Sequence, residues 1–378
     1  MTNDLNKLAE RAVTMAKVSP EDEFQGLADE ALLFSREEME PLIKELDLYD
    51  TNEPDIAWME KSALEAEKAG MSVEGVSKSM GSGMGWGTSG FVLTTSHGFS
   101  GSYQRSSISV SASFVAGEGT EMERDYDYDS RVHMSDLKSA EEIGMSAGEK
   151  VVNRLNPRQV KSGAYPIVFD KRISAGIAGT LAGAVNGASV ARKTSFLRDK
   201  MGEQITTAGI NIVDDPHMVR KPGSRVFDGE GTGSGKLTIV EDGVLRTWLL
   251  DSATARELGL SPNGRAGRGG TGTSPSTSNL YMEAGNTSFD DMIGAIENGF
   301  YVTETIGHGI NMVTGDYSKG AAGYWIENGE IAYPVAEITI AGNLADMFLN
   351  MHPADDLEFK YGTNAPTLLI EGMTLGGK

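Results

Sequence analysis

The sequence predicts an α+β fold in which N-terminal helices pack on an antiparallel sheet and a larger, mostly β C-terminal domain with packed helices follows. Three observations carry this expectation. Leu5, Leu8, Ala12 and Met15 recur at helical spacing near the start of the chain. Ile108, Val110, Ala112 and Phe114 alternate with Ser107, Ser109, Ser111 and Ser113, the period of a strand with one wet face. In the second half, Asp242-Gly243 and Asn328-Gly329 separate apolar runs, and these dipeptides supply the positive φ that a two-residue type I′ hairpin needs.

Taken in order, the first helix follows Asp4, a side chain suited to cap it, and stops before Pro20; its apolar stripe predicts docking. A second helix spans about 55–68 and ends at Gly70. Gly81, Gly83, Gly85 and Gly87 then predict a flexible or turn-rich segment rather than the interior of an element. Antiparallel sheet is expected over about 89–131, where Asp125, Asp127 and Asp129 alternate with tyrosines and should share the solvated face. A helix over 135–155 closes at Asn156-Pro157. Beyond it come a strand at 165–169, a helix at 173–197 rich in small residues, a strand at 204–213 and hairpins over 237–250 and 324–333. Ser288 with Asp291 is spaced as a capping box for a helix closed by Gly299, and Asn343 is placed to cap 344–350. The expected division is 1–56 as the remnant of an N-terminal domain with a linker, 57–158 as a central domain and 159–378 as the C-terminal domain.

Composition narrows the function classes. With 33 Lys and Arg against 54 Asp and Glu, the formal charge is −21. That surface repels phosphate backbones and anionic headgroups, so neither direct nucleic-acid binding nor membrane association is expected. The chain has no cysteine, which removes disulfides and thiolate chemistry and fits a cytoplasmic location. The uncharged stretch 173–191 approaches the length of a membrane span, but most of it is Gly, Ala, Ser, Thr and Asn186, so a buried helix of a soluble protein is expected.

No residue set announces catalysis. The histidines at 97, 133, 217, 308 and 352 include no pair at the helical spacing that converges on one metal ion. Gly231 to Lys236 suggests a phosphate loop, yet Glu230 and Leu237 break the pattern and a strand follows where a helix is required. Arg265 and Arg268 lie in a glycine-rich loop, 264–270, where they could meet a substrate carboxylate or an acidic partner; a solvated loop is the plainer expectation. Gly179, Gly183 and Gly187 fall on one face of the 173–197 helix, each at a cost of about 1 kcal/mol relative to Ala. Something is expected to pack closely there, with a binding groove as the alternative.

The run Arg192-Lys193-Thr194-Ser195-Phe196-Leu197 and, more specifically, Thr314-Gly315-Asp316-Tyr317-Ser318-Lys319-Gly320 through Tyr324-Trp325-Ile326-Glu327-Asn328-Gly329 resemble the PmbA/TldE branch of the TldD/PmbA family. Tyr333-Pro334-Val335 and Glu337-Ile338-Thr339-Ile340-Ala341-Gly342-Asn343-Leu344 continue the likeness. The resemblance implies a two-subunit protease acting on peptides and unfolded proteins, with older descriptions as a modulator of DNA gyrase. In the TldD branch the helix matching 173–197 carries a His-Glu-x-x-x-His zinc motif and a C-terminal cysteine completes the site; this chain has neither. No catalytic residue, metal ligand or cofactor is therefore carried over, and zinc is expected in a TldD-like partner. Asp316, Tyr317, Ser318, Arg192 and Lys193, with Arg265 and Arg268, are the candidates for contact with substrate or partner. The alternative is a homodimer that captures a peptide or a regulator without chemistry, by adding a strand to an exposed sheet edge. Family members usually begin with strands ahead of the helix at Leu5, so the resemblance also implies a shortened start and a sheet edge left open to pairing.

Overall fold

The computed structural model describes residues 2–269 and 272–378; Gly270, at the end of the arginine-glycine loop, lies outside the described residues. Helix α1 (Thr2–Val18) already includes Asp4 in its first turn. Contrary to the docking expectation, its stripe is open: Leu5, Leu8 and Met15 are 64%, 64% and 58% exposed. Its three alanines, two lysines and two leucines are good helix formers, so local propensity rather than burial sustains this helix. Helix α2 (Arg36–Leu46) is closed at its start by a capping box between Ser35 and Glu38. Met39 and Leu46 pack with Leu48, Phe99 and Phe227, which ties the N-terminal segment to the rest of the molecule.

A helix-covered sheet follows. Helix α3 (Ile56–Met71) is capped by Asp55 and leads into β1 (Val76–Thr94), β2 (Ser100–Ala116) and β3 (Glu123–Arg131), before α4 (Ala140–Asn153), capped by Ser139. The strands form an antiparallel sheet in the order β1-β2-β3. Gly81, Gly83, Gly85 and Gly87 thus lie inside a 19-residue strand, not in a turn-rich segment. The reason is the partner: after register shifts at Val76/Lys78 and Ser79/Gly81, β2 offers a continuous ladder from Gly81 onward, opposite which backbone alone suffices to extend the pairing. Ile108, Val110, Ala112 and Phe114 turn toward the helices, as the alternation predicted, and Phe114 joins Ala66, Ile143 and Val151 in one core. The helices meet closely, since a Cβ on Gly144 would stand 2.0 Å from the Ala66 carbonyl oxygen.

The three aspartates of β3 correct a second expectation. Asp125, Asp127 and Asp129 pair with Phe114, Ala112 and Val110, and residues directly opposite in an antiparallel pair share a face. They therefore point to the helix-covered side; Asp129 is wholly buried and Asp125 only 6% exposed.

The C-terminal part begins with β4 (Gly163–Phe169), α5 (Lys171–Ala184) and α6 (Gly187–Ala191). Short strands β5 (Ile212–Asp214), β6 (Leu237–Glu241) and β7 (Val244–Leu245) precede α7 (Ser252–Leu258). Then come β8 (Ala266–Arg268), β9 (Thr273–Pro275), β10 (Leu280–Met282) and α8 (Phe289–Gly294). Strands β11 (Asn298–Ile306), β12 (Asp316–Glu327) and β13 (Glu330–Asn343) lead to α9 (Leu344–Leu349), β14 (Met351–Pro353), β15 (Thr363–Asn364) and β16 (Leu368–Gly376). The main sheet runs β13-β12-β11-β4-β16-β14, and β13 also pairs with β16, so the ladder closes on itself. A second sheet, β15-β10-β5-β6-β7, lies across α5 from it.

Both expected hairpin turns are present, with φ of 49° and 79° at Asp242-Gly243 and 53° and 79° at Asn328-Gly329. Ser288 and Asn343 cap α8 and α9 as anticipated, although α8 ends at Gly294 rather than near Gly299. The strand expected at 204–213 is confined to Ile212–Asp214, because Gln204 makes only an isolated bridge to Val244. No helix among the described residues is long and apolar enough to cross a membrane.

Candidate functional site

The expected helix at 173–197 is two helices. Helix α5 stops at Ala184, and the Asn186 side chain then accepts from the Ala188 N–H to start α6 while donating to the Pro275 carbonyl. Apolar composition runs through the break, but one cap satisfied from both sides ends the first helix. The three glycines consequently part company. Gly187, in α6, is the close-packing one: a Cβ there would be 2.8 Å from the Leu249 oxygen. A Cβ on Gly183 would meet only Met312, at 3.5 Å, and one on Gly179 or Gly176 nothing within 4 Å. Ile177, Ala178, Leu181 and Ala182 anchor the opposite side of α5 in the main core. The outward face of α5 is thus bare backbone at Gly176 and Gly179, with the hydroxyl of Thr180 beside them.

A shallow cavity of about 160 Å³ opens along this face, lined among others by Arg172, Gly176, Thr180, Tyr317 and Lys319. Arg172 also lines a larger cavity, of about 400 Å³, where the helix-covered sheet meets the C-terminal part. Charges from both sides interlock here. Asp127 accepts from Ser146 Oγ at 2.6 Å and pairs with Lys150 at 2.8 Å and Lys360 at 3.4 Å. Burial opposes its ionisation, but the Lys150 and Ser146 hydrogen bonds and the two lysine charges outweigh that and take the carboxyl down to about 2. Asp125 pairs with Arg172 at 3.1 Å and Arg154 at 3.3 Å, and Arg154 reaches on to Glu304. Burial works against the Arg172 charge, yet Asp125 holds its pKa above the ordinary value.

Tyrosines form the remaining walls. Tyr301 donates to Asp170, the residue that also caps α5, and burial together with that carboxylate pushes the phenol pKa up. Tyr361, beside Tyr128, is pushed up chiefly by burial, while Lys360 lies 4.8 Å over the Tyr128 ring. At neutral pH these phenols are hydrogen-bond donors, not bases or nucleophiles. The cavity therefore offers ordered, mostly paired charge and hydrogen-bonding walls, an arrangement suited to holding or positioning rather than to proton transfer. Among the described residues no group of three or more His, Cys, Asp or Glu is placed to hold a metal ion.

The residues singled out from sequence fall in several places. Tyr317 is 3% exposed and burial raises its pKa, yet it reaches the smaller cavity. Asp316 accepts from Thr314 Oγ1 at 2.6 Å and the Ser318 N–H donates to the Gly309 carbonyl at 2.6 Å, so both hold the entry to β12. Arg192 and Lys193 are exposed at the end of α6, away from both cavities. Arg265 overturns the expectation of a solvated loop. It is fully buried, paired with Asp214, and donates to the carbonyls of Asp214 and Gly235 at 3.0 and 2.6 Å. Its charge is enclosed because a carboxylate and several carbonyls surround it. Arg268 is exposed, with Nε donating to the Gly229 carbonyl at 2.8 Å. Sequence reasoning missed Arg172, Lys360, Tyr301 and Tyr361. Only the Asp-Tyr alternation at 125–129 offered a signal, once its register against Val110, Ala112 and Phe114 is considered.

Comparison with known proteins places these features. Residues 162–377 match the family model of the PmbA/TldA metallopeptidase C-terminal domain, and 49–155 match that of the PmbA/TldA metallopeptidase central domain. A metalloprotease PmbA homolog of Haemophilus influenzae is 36% identical over 383 residues, covering 100% of this chain and 82% of that protein. A crystal structure from Bacteroides thetaiotaomicron, named as a modulator of DNA gyrase, superposes with a TM-score of 0.90 at 28% identity, covering 100% of this chain and 84% of that one. TldE from Thermococcus kodakarensis shares the fold, with a TM-score of 0.84 at 22% identity over 100% of this chain and 85% of that one.

Proposed function

The chain belongs to the PmbA/TldD metallopeptidase family, in its PmbA/TldE branch, and from that premise we propose that it is the subunit of a cytoplasmic TldD–TldE-type metalloprotease that does not itself hold zinc. One observation carries the reading. The outward face of α5, the helix on which the sister branch bears its zinc motif, presents Gly176, Gly179 and Thr180, without an imidazole or a carboxylate. Zinc activates water when about three nitrogen, sulfur or oxygen ligands converge and one position stays open. A single hydroxyl among glycines is not such a set, so the residues present do not fit the metal that the family name implies.

In this reading the chain supplies walls and contacts. Its open α5 face and the junction cavity border the space in which a TldD-like partner works on a peptide or unfolded protein. The ion pairs of Arg172, Asp125, Asp127 and Lys360 keep the two parts of the chain in register around that space. The test is to purify the chain alone and with a TldD-like partner, measuring zinc by mass spectrometry and cleavage of unfolded casein. Sub-stoichiometric zinc and no cleavage are expected for the lone chain, with both gained in the pair. Stoichiometric zinc together with cleavage by the lone chain would end the proposal.

A further inference from the structure

We propose that the junction cavity is a binding site for a small dicarboxylate, held between the helix-covered sheet and the C-terminal part. The inference goes beyond the subunit reading and does not depend on it, since it assigns the cavity a ligand whether or not a second subunit is present. Across the whole chain, carboxylates outnumber Lys and Arg by 54 to 33. The wall of this cavity, of about 400 Å³, inverts that balance: Lys138, Lys150, Lys171 and Lys360 join Arg172 there, five cations against four carboxylates. A cleft lined with a surplus of one sign concentrates ions of the other.

The pairing inside the cavity widens the surplus. Asp125 divides its two oxygens between Arg172 and Arg154, and Asp170 accepts from Tyr301 and from the Arg172 N–H. Asp127 alone serves both Lys150, at 2.8 Å, and Lys360, at 3.4 Å. An ammonium has three protons to donate. Lys360, with a side chain only 15% exposed, has Asp127 as its one acceptor and otherwise lies over the rings of Tyr128 and Tyr361. Lys138 makes no ion pair among the described residues. The Tyr324 hydroxyl reaches the same cavity, makes no hydrogen bond among the described residues, and is kept protonated by burial, so it stands ready as a donor.

The placement of these donors selects the ligand. Lys138 and Lys150 come from the segment before α4 and from α4 itself, whereas Lys171 opens α5 and Lys360 precedes β15. An anion charged at both ends meets cations from both parts of the chain; a monocarboxylate meets one set only. The volume is ample for a small molecule of this kind. Phosphate is the less suited occupant, because it favours helix N-termini and the guanidinium fork. Here the start of α5 is capped by Asp170, that of α4 by Ser139 and Glu142, and Arg172 is engaged by Asp125 and the Thr303 carbonyl.

The experiment titrates the full, lone chain with succinate and with glutarate by isothermal titration calorimetry at constant ionic strength, with acetate and inorganic phosphate as comparison arms. Saturable binding of at least one dicarboxylate is expected, about tenfold or more tighter than either comparison anion. Tyr324→Phe removes a hydroxyl that the fold does not use and should weaken that binding by about tenfold. Lys138→Ala, at an exposed position, should weaken it by about threefold. Neither substitution should shift the melting temperature of the chain without ligand. Absence of saturable binding by both dicarboxylates overturns the proposal, as does acetate or phosphate binding as tightly as they do. So does an affinity unchanged by Tyr324→Phe, which would place the dicarboxylate elsewhere on the molecule. Zinc and cleavage play no part in these measurements, so failure here leaves the subunit reading standing. Zinc in the lone chain would sink that reading without touching this one.

Discussion

Glycine has opposite meanings in the six-stranded C-terminal sheet and in the β1-β2-β3 sheet. In the closed C-terminal ladder a Cβ on Gly323 would stand 1.9 Å from the Tyr301 carbonyl oxygen, and one on Gly309, in the connection between β11 and β12, 1.6 Å from that of Ser318. Those glycines exist because the chain folds tightly on itself. In the edge strand β1, Gly83 and Gly87 would meet nothing. The ladder consumes its own backbone groups by pairing β13 with both β12 and β16, whereas among the described residues β1 pairs with β2 alone. One sheet closes on itself; the other ends at β1.

The strongest way to break the comparison is Gly323→Ala. Its new methyl would collide with backbone rather than with a flexible side chain, so strands β11 and β12 would have to separate locally. A loss of about 3 kcal/mol is expected, the upper part of the range for overpacking, read as a lower urea midpoint by tryptophan fluorescence. An unchanged midpoint would show that the ladder has slack and that the contrast between the sheets is overstated.

A smaller effect tests the junction that closes the β3 side of the open sheet. Asp127 has a folded-state pKa of about 2 against an ordinary 3.8. Because folding lowers the value, its stabilisation is present above about pH 4 and is lost as pH falls through about 2. It is on the order of 2 kcal/mol. Asp127→Asn should therefore lower stability at about pH 6 and reduce the difference between unfolding at about pH 5 and pH 2.5. Equal acid sensitivity in both proteins would mean that the Lys150 and Lys360 contacts contribute little in solution.

How much of this was legible in the sequence follows the range of the cause. Asp242-Gly243 and Asn328-Gly329 were readable because a two-residue turn is dictated by its own φ angles. Asn343 was readable because a cap acts within one turn. The strand character of Gly81 to Gly87 was not, since glycine has no strand signature and only the facing serine-alternating strand makes it one. Asp125, Asp127 and Asp129 were correctly placed on one face and then assigned to the wrong one, because the face is chosen by register against Phe114, Ala112 and Val110. Arg265 was misread through its neighbours: the glycines around it suggest solvent, while the carboxylate that encloses it, Asp214, lies 51 residues away in sequence. The cavity-lining Lys360 and Tyr361 likewise meet β3 and α4 only in three dimensions.

The smallest effect sharpens the comparison most, because its sign is unusual. Gly83→Val and Gly87→Val place a β-branched side chain at strand positions with open space above them. Valine loses less conformational freedom than glycine on folding and suits a pleated surface, so each substitution is expected to raise stability by about 0.5 kcal/mol. A glycine whose removal strengthens the fold is not there for the fold. Were either variant to destabilise the protein by about 1 kcal/mol or more, the bare face would have a role in the chain's own packing. The two sheets would then use glycine in the same way, and the contrast between them would fall.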